Sequence, residues 1–110
     1  MNRTVQLLDT AIGAVKNARD HARHDTDVEP ADLSGVVGTL RELMWTIDTF
    51  TTVLIDTYGR QTDLGHDNGA DPVEAIHRIT ERLSQVRCNL DSIDGALGDS
   101  HNIAAKLFRR

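Results

Sequence analysis

The chain has 110 residues, with 12 basic and 17 acidic side chains and a net charge of −5. This length corresponds to a single domain, residues 1–110, that can bury a modest core. The acidic balance argues against nucleic-acid binding, in which a basic face supplies most of the affinity. No segment approaches the roughly 20 apolar residues needed to cross a bilayer. We therefore expect no nucleic-acid partner and no membrane association.

Cysteine usage and the N-terminal segment bear on the compartment. Cys88 is the only cysteine in the sequence, which excludes an internal disulfide and a cysteine-based zinc site. The first residues enter helical periodicity without the apolar core of a signal peptide. The simplest interpretation is a cytoplasmic protein in a reducing environment.

The first predicted helix covers residues 3–24. Its apolar side chains recur at 3-4-3 spacing and so share one face: Val5, Leu8, Ile12 and Val15. Only a short connection separates this helix from the next, so we expect the two to be antiparallel neighbours.

The second predicted helix, residues 30–58, is the longest apolar segment of the chain. Pro30 near its first turn marks the start. Its apolar stripe covers an arc of about 140° at about 100° per residue. The stripe comprises Leu33, Val36, Val37, Leu40, Leu43, Met44, Ile47, Phe50, Leu54, Ile55 and Tyr58. It is wide enough to contact two other helices, and Gly35 and Gly38 would permit a close crossing.

Two apolar residues of this helix, Trp45 and Val53, fall outside the stripe. Large aromatic side chains on polar helix faces are enriched at protein interfaces. The alternatives are that another segment of the chain covers Trp45, or that it is simply exposed. We predict a partner-binding surface made of Trp45, Val53, Arg41, Thr49, Thr52 and Asp56.

The third predicted helix covers residues 72–97 and follows a glycine-rich loop, residues 59–71. Asp71 as N-cap, Pro72 at the first position and Glu74 at the third form a strong start signal. Apolar residues then follow in steps of three and four, a seam typical of coiled-coil-like packing. The seam comprises Ile76, Ile79, Leu83, Val86, Leu90, Ile93 and Leu97.

The C-terminal part of the chain permits two interpretations. Gly95 and Gly98 favour a break near Gly98, followed by a short helix over residues 100–108. The alternative is a helix that continues without interruption to about Arg109. In either case we expect Leu107 and Phe108 to complete the bundle; the alternative is that this basic end docks on the acidic middle of a neighbouring subunit.

These elements predict an all-α, antiparallel three-helix bundle in which the second helix is covered on two sides. The alternative is a chain that completes its core by association, most simply as a dimer of four or six helices. The regular seam of the third helix and the outlying Trp45 and Val53 favour association with a protein partner or a second copy.

Two clusters offer the only candidate chemistry. His21 and His24, with Asp25 and Asp27 nearby, could supply zinc ligands. The competing interpretation is that the histidines complement the dipole at a helix C-terminus.

Arg60 and His66 fit the loose Arg-x(4–6)-His pattern of the HEPN-type helical ribonucleases. That resemblance implies His as acid or base and Arg as the group that stabilises phosphate charge. Asp63, between these two residues, and Asp67, next to His66, would repel phosphate.

The sequence therefore predicts a non-enzymatic protein–protein interaction module with no cofactor and no metal. The alternative is a small ribonuclease-like or metal-dependent hydrolase that uses the Arg60/His66 loop or the His21/His24 cluster.

Overall fold

The computed structural model describes residues 2–61, 64, 65, 69 and 71–108. It contains three α-helices: α1, Asn2–His24; α2, Pro30–Gly59; and α3, Pro72–Ala104. No strand occurs within these described ranges. The all-α class and the positions of the three helices are confirmed.

Both helices that begin with proline start where the sequence predicted. Asp71 caps α3, because its carboxylate accepts a hydrogen bond from the Val73 backbone N–H at 3.0 Å, and Pro72 follows at the first position. Glu29 has extended backbone angles, φ −86° and ψ 148°, immediately before Pro30. A residue that precedes proline is restricted to this region, so the proline itself fixes the start of α2.

The break expected near Gly98 does not occur. Helix α3 runs through Gly98 to Ala104, and the Ala105 N–H then bonds to the carbonyl of His101 at 2.9 Å. Gly98 is buried against α2, so its missing side chain admits a neighbour instead of ending the helix. Leu107 and Phe108 lie beyond the helix and are largely exposed, so the expectation that they complete the bundle is wrong.

Helices α2 and α3 pack together as an antiparallel hairpin. Three side-chain pairs join them, and each pair is displaced from the next by seven residues on both helices. They are Ser34 with His101, Arg41 with Asp94, and Asp48 with Arg87. A seven-residue repeat is the register of coiled-coil packing, and these six residues are called the polar edge below.

A line of side chains beside the polar edge forms the contact between the two helices. The residues of this buried line are buried or half-buried: Val37, Met44, Thr51 and Tyr58 of α2, and Ile76, Leu83, Leu90 and Leu97 of α3. Leu90, with 8% of its surface exposed, is the one buried hydrophobic side chain in the described part of the chain, and no described side chain is completely buried. Two helices alone therefore provide a thin core.

Helix α1 contacts the other helices less than a closed three-helix bundle would require. Across the described helices, no Cα atom of α1 lies within 8 Å of a Cα atom of α2 or α3. None of its residues is buried. Helix α2 is thus covered along one side by α3, while the contact expected from α1 is left open.

The resulting molecule is extended. Its radius of gyration is 18.9 Å and its dimensions are 66 × 27 × 19 Å, whereas a globular domain of this length has a radius of about 13 Å. The accessible surface is 8819 Å² for 12.2 kDa, compared with about 6,100 Å² for a typical folded monomer of that mass. The chain exposes about 2,700 Å² more than such a monomer does.

Candidate interaction surfaces

At the centre of the polar edge, Arg41 and Asp94 form a cluster with Trp45, which lies beside the edge. The Arg41 Nε and Nη2 atoms donate to the two carboxylate oxygens of Asp94, at 2.6 and 3.2 Å. The Trp45 indole N–H donates to Asp94 Oδ1 at 2.5 Å. The Arg41 guanidinium also lies 4.8 Å from the centroid of the Trp45 ring, a cation–π distance. One carboxylate of α3 therefore binds two side chains of α2.

The charges along this edge stabilise one another. The hydrogen bond from Arg41 lowers the pKa of Asp94; partial desolvation opposes this, and the bond from Trp45 adds to it. The bond to Asp94 in turn raises the pKa of Arg41. Farther along the hairpin, the bond to Asp48 raises the pKa of Arg87. At neutral pH the charged forms of all three groups are favoured.

Two glycines make room for side chains of the polar edge. A Cβ atom on Gly98 would lie 3.1 Å from Cζ of Arg41, and a Cβ atom on Gly38 would lie 3.2 Å from Cε1 of His101. The His101 Nδ1 atom, 3.0 Å from the Ser34 carbonyl oxygen, donates to it. Gly38 thus permits the close approach expected from the sequence, and Gly98 does so on the facing helix.

Trp45 lies on the flank of α2 that meets α3, and 48% of its surface is exposed. Its N–H is bonded within the chain, while part of the ring borders an open groove of about 510 Å³. The groove is also lined by Met44, Ser84, Arg87, Cys88 and Asp91. The Trp45 side chain is therefore partly covered by α3 and partly exposed.

Three other residues predicted to bind a partner, Thr49, Thr52 and Asp56, lie within about 40° of Trp45 around α2 and so share its flank. The hydroxyls of Thr49 and Thr52 donate to carbonyl oxygens of their own helix, at 2.9 and 3.2 Å. Asp56 and Val53 are exposed. Val53 lies about 12 Å along the helix from Trp45 and about 80° around it. The structure brings Arg41 and Trp45 into contact. Thr49, Thr52 and Asp56 lie on the same flank of α2, whereas Val53 lies apart from it.

Opposite the polar edge, the hairpin exposes a second row of side chains. On α2, each polar-edge residue comes three positions before a residue of the buried line. Leu40 and Ile47 instead come three positions after Val37 and Met44. At about 100° per residue these positions lie about 60° to either side of the line. On α3, Val86 and Ile93 likewise follow Leu83 and Leu90 by three residues and lie on the side away from Arg87 and Asp94.

We call this row the apolar edge. It comprises Leu33, Val36, Leu40 and Ile47 of α2, and Ile79, Val86 and Ile93 of α3. These side chains retain 38% to 60% of their surface exposed. The sequence pattern assigned all of them to the core. They are exposed because no third helix of the described chain packs on this side of the hairpin. The apolar edge was therefore not recognised from the sequence as a surface.

Helix α1 presents an apolar stripe of its own. Val5, Leu8, Ile12 and Val15 remain 44% to 54% exposed. The second half of α1 and the first half of α2 border a groove of about 720 Å³, whose apolar lining includes Ala14, Val15, Ala18, Val36, Leu40 and Leu43. Two complementary apolar surfaces therefore lie unpaired in one chain.

At the two candidate catalytic clusters, the described residues form only local contacts. His21 Nε2 lies 3.7 Å from Asp25 Oδ2 at the C-terminal turn of α1, and the His21 side chain is exposed. Among the residues that the structure describes, no group of three or more His, Cys, Asp or Glu side chains could hold a metal ion. Arg60 ends α2 and its Nε donates to the Asp56 carbonyl at 3.3 Å. His66 lies outside the described residues, so the ribonuclease-like alternative stays a prediction.

No helix among the described residues is long and apolar enough to cross a membrane. Comparisons with protein-family models, curated proteins and solved structures find no match to this chain.

Proposed function

We propose that this protein is a non-enzymatic helical interaction module that associates with further copies of itself through the apolar edge of the α2–α3 hairpin. The observation that carries this proposal is the exposure of seven apolar side chains in one row, at coiled-coil spacing, along the length of the hairpin. Monomeric proteins rarely expose contiguous apolar patches of more than a few hundred Å².

The large surface area of the chain supports a stable, obligate association. The excess of about 2,700 Å² over a compact monomer is several times the roughly 800 Å² that each partner loses in a standard interface. Interfaces that bury more than about 2,000 Å² in total are typical of obligate dimers, whose contact resembles a divided domain core. The thin core around Leu90 is consistent with a chain that completes its core by association.

The polar edge has a different part in this proposal. Its three pairs fix the antiparallel register of α2 and α3, and so hold the apolar edge in a straight row. Trp45 and Val53 remain predicted contact residues on other sides of α2, and the half-exposed ring of Trp45 supports that prediction. The apolar edge is favoured as the main surface because its seven residues form one row, whereas Trp45 and Val53 point in different directions.

The test compares two charge substitutions on the same helix. Ile47→Glu places a carboxylate in the apolar edge, and Val53→Glu makes a similar change at an exposed residue outside it. Sedimentation equilibrium should show that Ile47→Glu is a monomer while Val53→Glu associates like the unaltered chain, because a buried charge without a partner is costly. Far-ultraviolet circular dichroism checks that both remain helical. Association that survives Ile47→Glu, or is lost in Val53→Glu, would refute the assignment.

A further inference from the structure

Helix α1 is an arm whose apolar stripe is not buried against the hairpin of its own chain. An isolated helix of 23 residues is marginally stable in water, because most helical stability in proteins comes from packing of an apolar face. The stripe of Val5, Leu8, Ile12 and Val15 provides such a face, and nothing in the described chain buries it.

We propose that the occupant of the apolar edge is helix α1 of a second copy of this chain. In the resulting dimer each copy extends its α1 onto the hairpin of its partner and receives the partner's α1 in return. The exchange yields two three-helix units related by a two-fold axis, with the same surfaces used on both sides. This inference rests on the proposed self-association and specifies which elements meet.

The length of α1 matches that of the apolar edge. Helix α1 is about 34 Å long at 1.5 Å per residue. On α2 the apolar edge extends from Leu33 to Ile47, about 21 Å. In the register of the polar edge, Ile79 of α3 lies level with position 56 of α2, so the whole row spans about 35 Å, whereas the stripe from Val5 to Val15 covers about 15 Å of α1. The arm is therefore long enough to cover the row, and its 3-4-3 spacing is the pattern that packs against a helical hairpin.

The charges of the two elements are complementary. Helix α1 has four basic and two acidic residues, a net charge of +2, whereas α2 and α3 together have nine acidic and four basic residues, a net charge of −5. The basic residues of α1 are Arg3, Lys16, Arg19 and Arg23. An arm of opposite charge is attracted to the hairpin, and this favours α1 over a further copy of the acidic hairpin as the occupant.

The connection between α1 and α2 has the features of a hinge for exchange. It comprises residues 25–29, and local interactions shape it: the Asp27 N–H donates to the Asp25 carboxylate at 3.1 Å, and Pro30 holds Glu29 extended. In this geometry the second half of α1 faces α2 across an open groove, and no Cα atom of α1 lies within 8 Å of a Cα atom of the described hairpin helices. Short hinge loops are known to promote domain exchange, because the same contacts form between copies as would form within one.

Two adjacent leucines of α1 provide a matched pair for the test. Leu8 belongs to the stripe, whereas Leu7 lies about 120° from the centre of the stripe at about 100° per residue; both are exposed in the single chain, at 44% and 53%. We expect Leu8→Glu to weaken dimerisation on the order of a hundredfold, because it places a charge in the apolar contact. Leu7→Glu should leave the dissociation constant nearly unchanged.

An isotope-filtered NOE measurement on dimers of labelled and unlabelled full-length chains identifies the copy that supplies α1. The exchange predicts contacts between copies that join methyl groups of Leu8 and Ile12 to those of Ile47 and Val86. A dimer in which α1 contacts only its own hairpin, or in which Leu8→Glu and Leu7→Glu behave alike, would overturn the exchange and leave self-association standing. A monomeric mass for the unaltered chain would overturn both.

Discussion

Arg41 on α2 and Asp94 on α3 join the two helices through a pair of hydrogen bonds, 2.6 and 3.2 Å long. Ser34 with His101 lies seven residues away in one direction, and Asp48 with Arg87 seven residues away in the other. Because all three pairs lie on one edge, the hairpin has a polar side that fixes its register and an apolar side that is open. This asymmetry underlies the functional proposal.

Asp94 should make the stability of the hairpin depend on pH. Its pKa is lowered in the folded chain, first by Arg41, so the folded state binds fewer protons than the unfolded state. The contribution is therefore complete above the ordinary aspartate pKa of about 3.9, and is lost as the pH falls through and below that value. We expect the melting temperature of the unaltered chain to fall more steeply between about pH 5 and pH 3 than that of Asp94→Asn.

The matched control for this experiment is Glu81→Gln, which removes an exposed carboxylate from the same helix. Its melting temperature should follow the steep pH dependence of the unaltered chain. Parallel curves for Asp94→Asn and the unaltered chain would show that the Arg41–Asp94 pair does not stabilise the hairpin.

Gly98 and Gly95 should respond differently to alanine. A Cβ atom on Gly95 would meet nothing within 4 Å, so Gly95→Ala should stabilise α3 by about 1 kcal/mol through helix propensity. The same change at Gly98 would press on the Arg41 guanidinium, 3.1 Å away, and move it from Asp94. In urea unfolding experiments, we expect Gly98→Ala to show little of the stabilisation that Gly95→Ala gives. Equal stabilisation by the two alanines would mean that Gly98 is not needed for the Arg41 contact.

Leu90 should dominate the small core of the hairpin. It is the most buried hydrophobic side chain among the described residues, and truncation leaves a cavity in the buried line. Leu90→Ala should lower the free energy of unfolding by about 2–4 kcal/mol. Ile103→Ala, an exposed position on the same helix, should change it by less than about 0.5 kcal/mol. A small effect at Leu90 would place the core elsewhere.

Trp45 distinguishes the two surfaces considered for association. Trp45→Ala removes the bond to Asp94 and the ring beneath Arg41, so we expect a lower melting temperature with the dimer retained at micromolar concentration. Trp45→Phe, which keeps an aromatic ring but not the N–H, should lose less stability. Loss of association by Trp45→Ala, with helicity unchanged by circular dichroism, would instead support the surface predicted from the sequence.

The helices could be predicted from the sequence because their signals are local. Pro30 and the Asp71–Pro72 pair fix helix starts through the backbone geometry of a few residues, and apolar periodicity identifies the faces. The expected break at Gly98 failed for a physical reason. Glycine both weakens helices and admits neighbouring side chains, and only the position of Arg41 on the facing helix decides between these roles.

The candidate surfaces were less predictable because exposure depends on how many helices pack together. Ile79, Val86 and Ile93 share the seam of α3 with Leu83 and Leu90, yet the first three are exposed and the last two are covered by α2. A seam of regular spacing predicts that the exposed and the covered residues both have packing partners. It does not say whether those partners belong to the same chain. Likewise, the angular position of Trp45 could not reveal that Asp94 faces it.

The mass of the unaltered, full-length chain in dilute solution tests the central claim most directly. Light scattering coupled to size-exclusion chromatography should give about 24 kDa, twice the 12.2 kDa of one chain. A mass of 12.2 kDa that persists at the highest soluble concentration would contradict self-association through the apolar edge.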